Sequence, residues 1–196
     1  FISTMANMLV IFGLVTYATK GVSFGAIEPA IPKMIIPKIN GFPTIILWAV
    51  AAIVIVWFIW NKTTFGKNLY AVGGNPEAAA VSGISVFGVT MGAFILAGIL
   101  YGFGSWLECA RMVGSGSAAY GQGWEMDAIA ACVVGGVSFT GGIGKISGVV
   151  VGVLIFTVLI YSLTILGIDT NLQFVFEGII IITAVTLDCL KYVQKK

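Results

Sequence analysis

The sequence predicts an all-α integral membrane protein, a polytopic helix bundle of about six membrane segments, and three observations carry that prediction. The first is composition. Hydrophobic residues make up 59% of the chain and charged residues 9%, with a mean hydropathy of +1.06. A water-soluble domain carries roughly 25% charged residues, so this chain has too little charge to cover a water-facing surface. The second is segmentation: long apolar runs alternate with short polar breaks. The third is glycine spacing. Gly88-x3-Gly92, Gly98-x3-Gly102 and Gly144-x3-Gly148-x3-Gly152 each place small residues on one helix face, where they let backbones approach closely. Such faces imply a compact bundle rather than a wide pore.

Taken in order, residues 1–19 are uncharged and just long enough to span. A break at 20–42 holds Pro29, Pro32 and Pro37 with Lys20, Lys33, Lys38 and Glu28. Residues 43–60 form the second span, with Trp48, Trp57 and Trp60 as interfacial anchors. After a polar stretch at 61–85, residues 86–107 form the third, followed by a Gly/Ser-rich break to residue 125. Residues 127–142 are apolar but short, which suits a half-helix or re-entrant element. Residues 146–168 carry no charge and are the clearest span; residues 172–187 are the last, interrupted by Glu177. The chain thus divides into two spans with their connecting loop (1–60), a polar loop (61–85), the remaining spans (86–190) and a tail (191–196). Lys191, Lys195 and Lys196 place that tail on the cytoplasmic side, and counting back puts Lys145, Lys62 and Lys67 there too. The lysines of the 20–42 break fall outside and disagree. The chain starts at Phe1 without a visible signal peptide, as expected of a fragment.

The 61–85 stretch is the longest polar interruption and carries a compact helix signal. Asn75 is a good N-cap, Pro76 fits the first helical position, and Glu77 suits the positive end of the helix dipole. Ala78, Ala79 and Ala80 favour helix, Ser82 follows, and Gly83 is placed to end it. A short, well-capped helix between membrane spans, on the side of Lys62 and Lys67, suggests that something outside the membrane pushes on it.

Several chemistries are excluded. There is no histidine, and Cys109, Cys132 and Cys189 lie far apart without metal spacing. A net charge of +2 gives no reason to expect nucleic acid. The run from Gly141 to Ser147, GGIGKIS, resembles a phosphate loop but has Phe139 where the first glycine belongs and Ile146 where Ser or Thr must follow Lys145. No nucleophile–base pair follows from spacing, so an enzyme is not expected. Glu108 and Arg111 suit an interfacial ion pair. Glu125 and Asp127 suit capping of the short apolar element, with a polar substrate contact as the rival role, and Gly135 and Gly136 suit packing or a gate there. Gln173 and Glu177 are read as interfacial. Ser3, Thr4 and Asn7 lie in the first span, with Ser3 and Asn7 on one face; they suit either a neutral hydroxylated solute such as a sugar or bonding between helices.

Three long motifs in order, NKTTFGKNLYAVGGNPEAAAVSGI, WEMDAIAACVVGGVSFTGGIGKISG and AVTLDCLKYVQKK, resemble the membrane permeases of bacterial ABC sugar importers. Galactose/methyl-galactoside permeases are the most similar, then ribose permeases. The resemblance implies a permease of about ten membrane helices, of which this chain is the fifth helix and the second half. It implies a homodimer in the bacterial inner membrane, a cytoplasmic ATPase holding ATP and magnesium, an external sugar-binding protein, and no cofactor on this chain. It further implies that the helix from Asn75 to Gly83 docks in a groove of the ATPase. The chain departs from the family at Met5, Ala6, Asn7 and Met8, where Leu-Gly-Thr-Met is usual, and at Glu177, where lysine is usual. The rival class is an ion-coupled secondary transporter, supported by Glu177 with Asp127; the third is an inactive membrane scaffold.

Overall fold

The computed structural model describes residues 2–23, 38–39, 42–112 and 116–193; expectations for Phe1, for most of the 20–42 break and for Lys195 and Lys196 lie outside these, as do the side chains of Cys189 and Lys191. Among the described residues the chain is helical, apart from two-residue strands β1 (Lys38–Ile39) and β2 (Phe42–Pro43), paired antiparallel with Ile39 opposite Phe42. Helix α1 spans Ile2–Thr19, α2 Ile45–Lys62, α3 Thr64–Gly74, α4 Pro76–Val81, α5 Val86–Met112, α6 Trp124–Val134, α7 Ile146–Ile165 and α8 Thr170–Val193.

Helices α1, α2, α5 and α7 are each long and apolar enough to cross a membrane. Their apolar side chains point outward: α1 and α2 bury no residue, and Ile2, Leu14, Phe94 and Val158 are all well exposed. In water such a surface would be an aggregation liability; against lipid it is the expected one. Helix α5 runs through Glu108 and Arg111, past the end expected at residue 107, because the two charges pair with each other on one face, three residues apart. The apolar stretch at 127–142 holds a helix only to Val134. Helix α6 has 11 residues and so is about 16 Å long at 1.5 Å per residue, half of a bilayer core.

Four helices stop in the same way, with a left-handed residue just past the end and a backbone bond reaching back five residues. After α4 this residue is Gly83, with Ile84 N donating to Ala79 O at 3.0 Å. After α6 it is Gly136, after α7 Gly167, and after α1 Lys20, at φ +52°. Helix α7 therefore ends before residue 168. At the other end of the following helix, Asp169 takes the cap position of α8: its Oδ1 accepts from Asn171 N at 2.8 Å.

The chain forms two compact units. The first comprises Phe1–Ala52 and Phe94–Gln122. Within it, Trp48 packs edge-on against Phe103 and Trp106, with ring centroids 6.3 and 5.9 Å away, so it is a packing residue. Just beyond α5, Tyr120 Oη donates to Glu108 and accepts from Arg111 Nη2 at 3.2 Å; the bond to the Glu108 carboxylate holds the Tyr120 phenol above its usual range. The second unit comprises Ile53–Ala93 and Gly123–Lys196. Its core is Ala130, Ala131 and Phe156, lined by Ile160, Ile180 and Ile181, where α6 packs against α7 and α8.

Candidate functional site

The 61–85 stretch holds a second helix, α3, ahead of the one that its capping residues predict. Two residues at its start turn the chain sharply out of α2. Thr63 Oγ1 donates to Ile59 O at 2.6 Å and accepts from Gly66 N at 3.2 Å, which caps α3. Gly66 lies against the end of α2, where a Cβ would stand 2.0 Å from Trp60 O, so no other residue fits.

Helix α4 follows after the single residue Asn75, whose Oδ1 accepts from Ala78 N at 3.0 Å. Pro76 takes the first helical position, Ser82 Oγ donates to Ala78 O at 2.9 Å, and Gly83 closes the end. The helix is fixed at both ends and packs on α3. Its two sides differ. Ala79 is 4% exposed and faces the chain's own interior, whereas Glu77, Ala78 and Ala80 face out. Val81, absent from the motif read in the sequence, is 91% exposed, and with Glu77 and Ala78 it makes one outward face at i, i+1 and i+4. Replacing Asn75 with alanine is expected to cost about 0.5–2 kcal/mol of local stability, seen as faster amide exchange at Ala78 while the membrane helices keep their protection.

The glycine run of GGIGKIS packs against α3. Gly141 and Gly142 have φ of +92° and +70°, and a Cβ on either would stand 2.5 or 2.6 Å from the backbone of Gly73 or Gly74. Ser138 N donates to Ile143 O at 3.0 Å and so closes the turn, and Tyr70 Oη donates to Gly144 O at 2.6 Å. On the other side of this segment, α6 and α7 meet backbone to backbone. A Cβ on Gly135 would lie 2.5 Å from Gly148 O, and one on Gly152 would lie 2.2 Å from Ala131 O. Gly135 is thus a close-packing residue. Gly136 meets nothing within 4 Å and instead terminates α6.

The acidic residues separate. Glu125 Oε2 accepts from Gly123 N at 3.1 Å, a cap at the start of α6. Asp127 does not cap; its carboxyl lies beside that of Glu177 on α8. Gln173 and Glu177, expected at the membrane interface, are buried, at 7% and 9% exposure. Gln173 Nε2 is satisfied by Ile168 O at 3.0 Å and Thr164 Oγ1 at 3.3 Å. The start of α6 lies against the first turns of α8, with Gly123 beside Phe174 and Asp127 beside Glu177, whereas Gln173 turns toward the end of α7. Ser3, Thr4 and Asn7 are all exposed on α1. Among the described residues no group of three or more His, Cys, Asp or Glu could hold a metal ion.

Comparison with known proteins agrees with this architecture. The galactose/methyl galactoside import permease of Treponema pallidum is 56% identical, over 100% of this chain and 38% of its own length. The Haemophilus influenzae protein of the same name is 44% identical, over 100% of this chain and 60% of its own. The ribose import permease of Bacillus subtilis is 38% identical, over 96% and 59%. The chain therefore spans well under two thirds of these relatives. No solved structure matches it. The family model described as branched-chain amino acid transport system / permease component matches residues 1–185, and the chain belongs to that family.

Proposed function

We propose that the chain is a membrane-spanning part of an ATP-driven sugar importer, with α4 as the surface on which a cytoplasmic ATPase acts. The observation that carries this is α4 itself: six residues, capped at both ends, inner side packed, outer face of Glu77, Ala78 and Val81 open. A rigid helix passes on a push that a loose loop would absorb by local unfolding. Galactose or a methyl galactoside is the proposed cargo, because relatives covering the whole chain are named for it. The family model is named for amino acids, so it does not bear on the sugar. A second permease subunit, an external sugar-binding protein, and ATP with magnesium on the ATPase complete the proposed assembly, in the bacterial inner membrane with the C-terminus cytoplasmic. On this reading Ser3, Thr4 and Asn7 are the proposed path contacts. Radiolabelled uptake into vesicles tests the cargo: ATP-dependent galactose uptake, resisted by excess unlabelled ribose, is expected. Equal competition by ribose would remove the assignment.

One observation favours a second reading. Glu177 is buried and the half-buried Asp127 lies beside it, an arrangement of carboxyls that an ion-coupled carrier uses. Uptake that collapses with an ionophore and survives ATP depletion would establish that reading.

A further inference from the structure

We propose that Tyr70 is a positioning residue that locks α3, and α4 with it, to the turn between α6 and α7, a role that rests on α4 being the ATPase-facing surface. Helix α4 is joined to α3 by Asn75 alone and packs on it, so the two move together. Helix α3 touches the turn at two places, Tyr70 and the adjacent pair Gly73 and Gly74. Tyr70 Oη donates to Gly144 O at 2.6 Å, across 74 residues of sequence. One turn further along α3, the Gly73 backbone lies so near Gly142 that a Cβ would stand 2.7 Å from Gly142 N. Residues 70 and 73 share a face of the helix. A single contact would let α3 pivot on the turn; two contacts about 4.5 Å apart along the axis fix its rotation.

Beyond the turn the contacts are again between backbones, at Gly135 with Gly148 and at Gly152 with Ala131. At these glycines no side chain lies between the two backbones to change rotamer and absorb a displacement. A push on α4 therefore reaches the α6–α7 pair through α3, provided α3 does not slip. The Tyr70 hydroxyl is the element that can give way. It is part-buried and lies on the wall of a cleft of about 600 Å³ that Trp57, Asn61 and Lys145 also line, so water can take its place. Removing it should loosen transmission more than stability.

The test is Tyr70→Phe in the permease reconstituted with its ATPase and binding protein. The substitution keeps the ring and its packing and removes only the hydroxyl. Sugar carried per ATP hydrolysed is expected to fall roughly fivefold, with ATPase co-purification and Tm unchanged. Hydrogen exchange gives an independent readout. In the wild type, nucleotide binding should change exchange at both α4 and residues 141–145; in Tyr70→Phe the change should stop at α4. An unchanged sugar-to-ATP ratio, or uptake and hydrolysis falling together with Tm, would overturn the proposal and reduce Tyr70 to a packing residue. Failure of the α4 reading looks different, because the wild type itself would then neither retain the ATPase nor need ATP, and the lock would fall with it.

Discussion

Alanine at Gly152 is expected to lower the Tm of the detergent-solubilised protein by roughly 2–10 °C, whereas alanine at Gly98 leaves it level or slightly higher. Both glycines belong to small-residue spacings that look alike in sequence. At Gly152 a Cβ would meet Ala131 O at 2.2 Å, Gly135 N at 2.6 Å and Gly135 Cα at 2.8 Å. All three are backbone atoms, so no rotamer change relieves the clash and α6 and α7 must part. Forcing one methyl group into a filled interface costs about 1–3 kcal/mol, and rigid neighbours put this site at the upper end. Separating the pair also disturbs the contact between Gly135 and Gly148 and the cluster of Ala130, Ala131 and Phe156. At Gly98 nothing lies within 4 Å, and alanine is the better helix former by about 1 kcal/mol. Equal loss at both positions would mean that the α6–α7 contact is not the tight point of this unit.

Val81→Asp is expected to abolish stable association with the ATPase while leaving the permease folded. Val81 is 91% exposed, so its replacement disturbs little inside the chain. An aliphatic side chain held out on a rigid helix is suited to fill an apolar pocket on a partner. An unpaired carboxylate there would cost about 2–4 kcal/mol, or roughly 30- to 1,000-fold in Kd. Ala79→Asp should behave in the opposite manner. Ala79 is 4% exposed, so a charge at this position strikes the packing of α4 itself and lowers folded yield. Affinity measurement with purified ATPase, paired with thermal melts, separates the two effects. Undiminished binding by Val81→Asp would remove that face of α4 from the contact.

Helix α4 was legible because its stability is local: Asn75, Pro76 and Gly83 act on their own backbone neighbours, and side-chain type states what each does. Helix α3 was hidden because Gly66, Gly73 and Gly74 depress helix propensity and Lys67 and Asn68 make the stretch read as a loop; of the cap-type residues Asn61, Thr63 and Thr64, it is Thr63 that caps it. The glycines of GGIGKIS serve a close approach to α3, and which backbone lies opposite is a fact of tertiary structure. The neighbour of Glu177 was hidden for the same reason: its position near the start of a span does not say that Asp127 of the short α6 lies beside it. The pairing of Glu108 with Arg111 was legible from their spacing, whereas Tyr120, which joins them from beyond the helix, was not.

On the proposed function, ATP energy enters the membrane helices through α4. This route is tested most directly by galactose uptake in proteoliposomes holding the permease, its ATPase and its binding protein, comparing wild type with Glu77→Lys and Val81→Asp variants of unchanged Tm. ATP-dependent uptake in the wild type that falls to background in both variants is the expected result. Uptake that is equal in all three, or that ignores ATP and collapses with an ionophore, would contradict it.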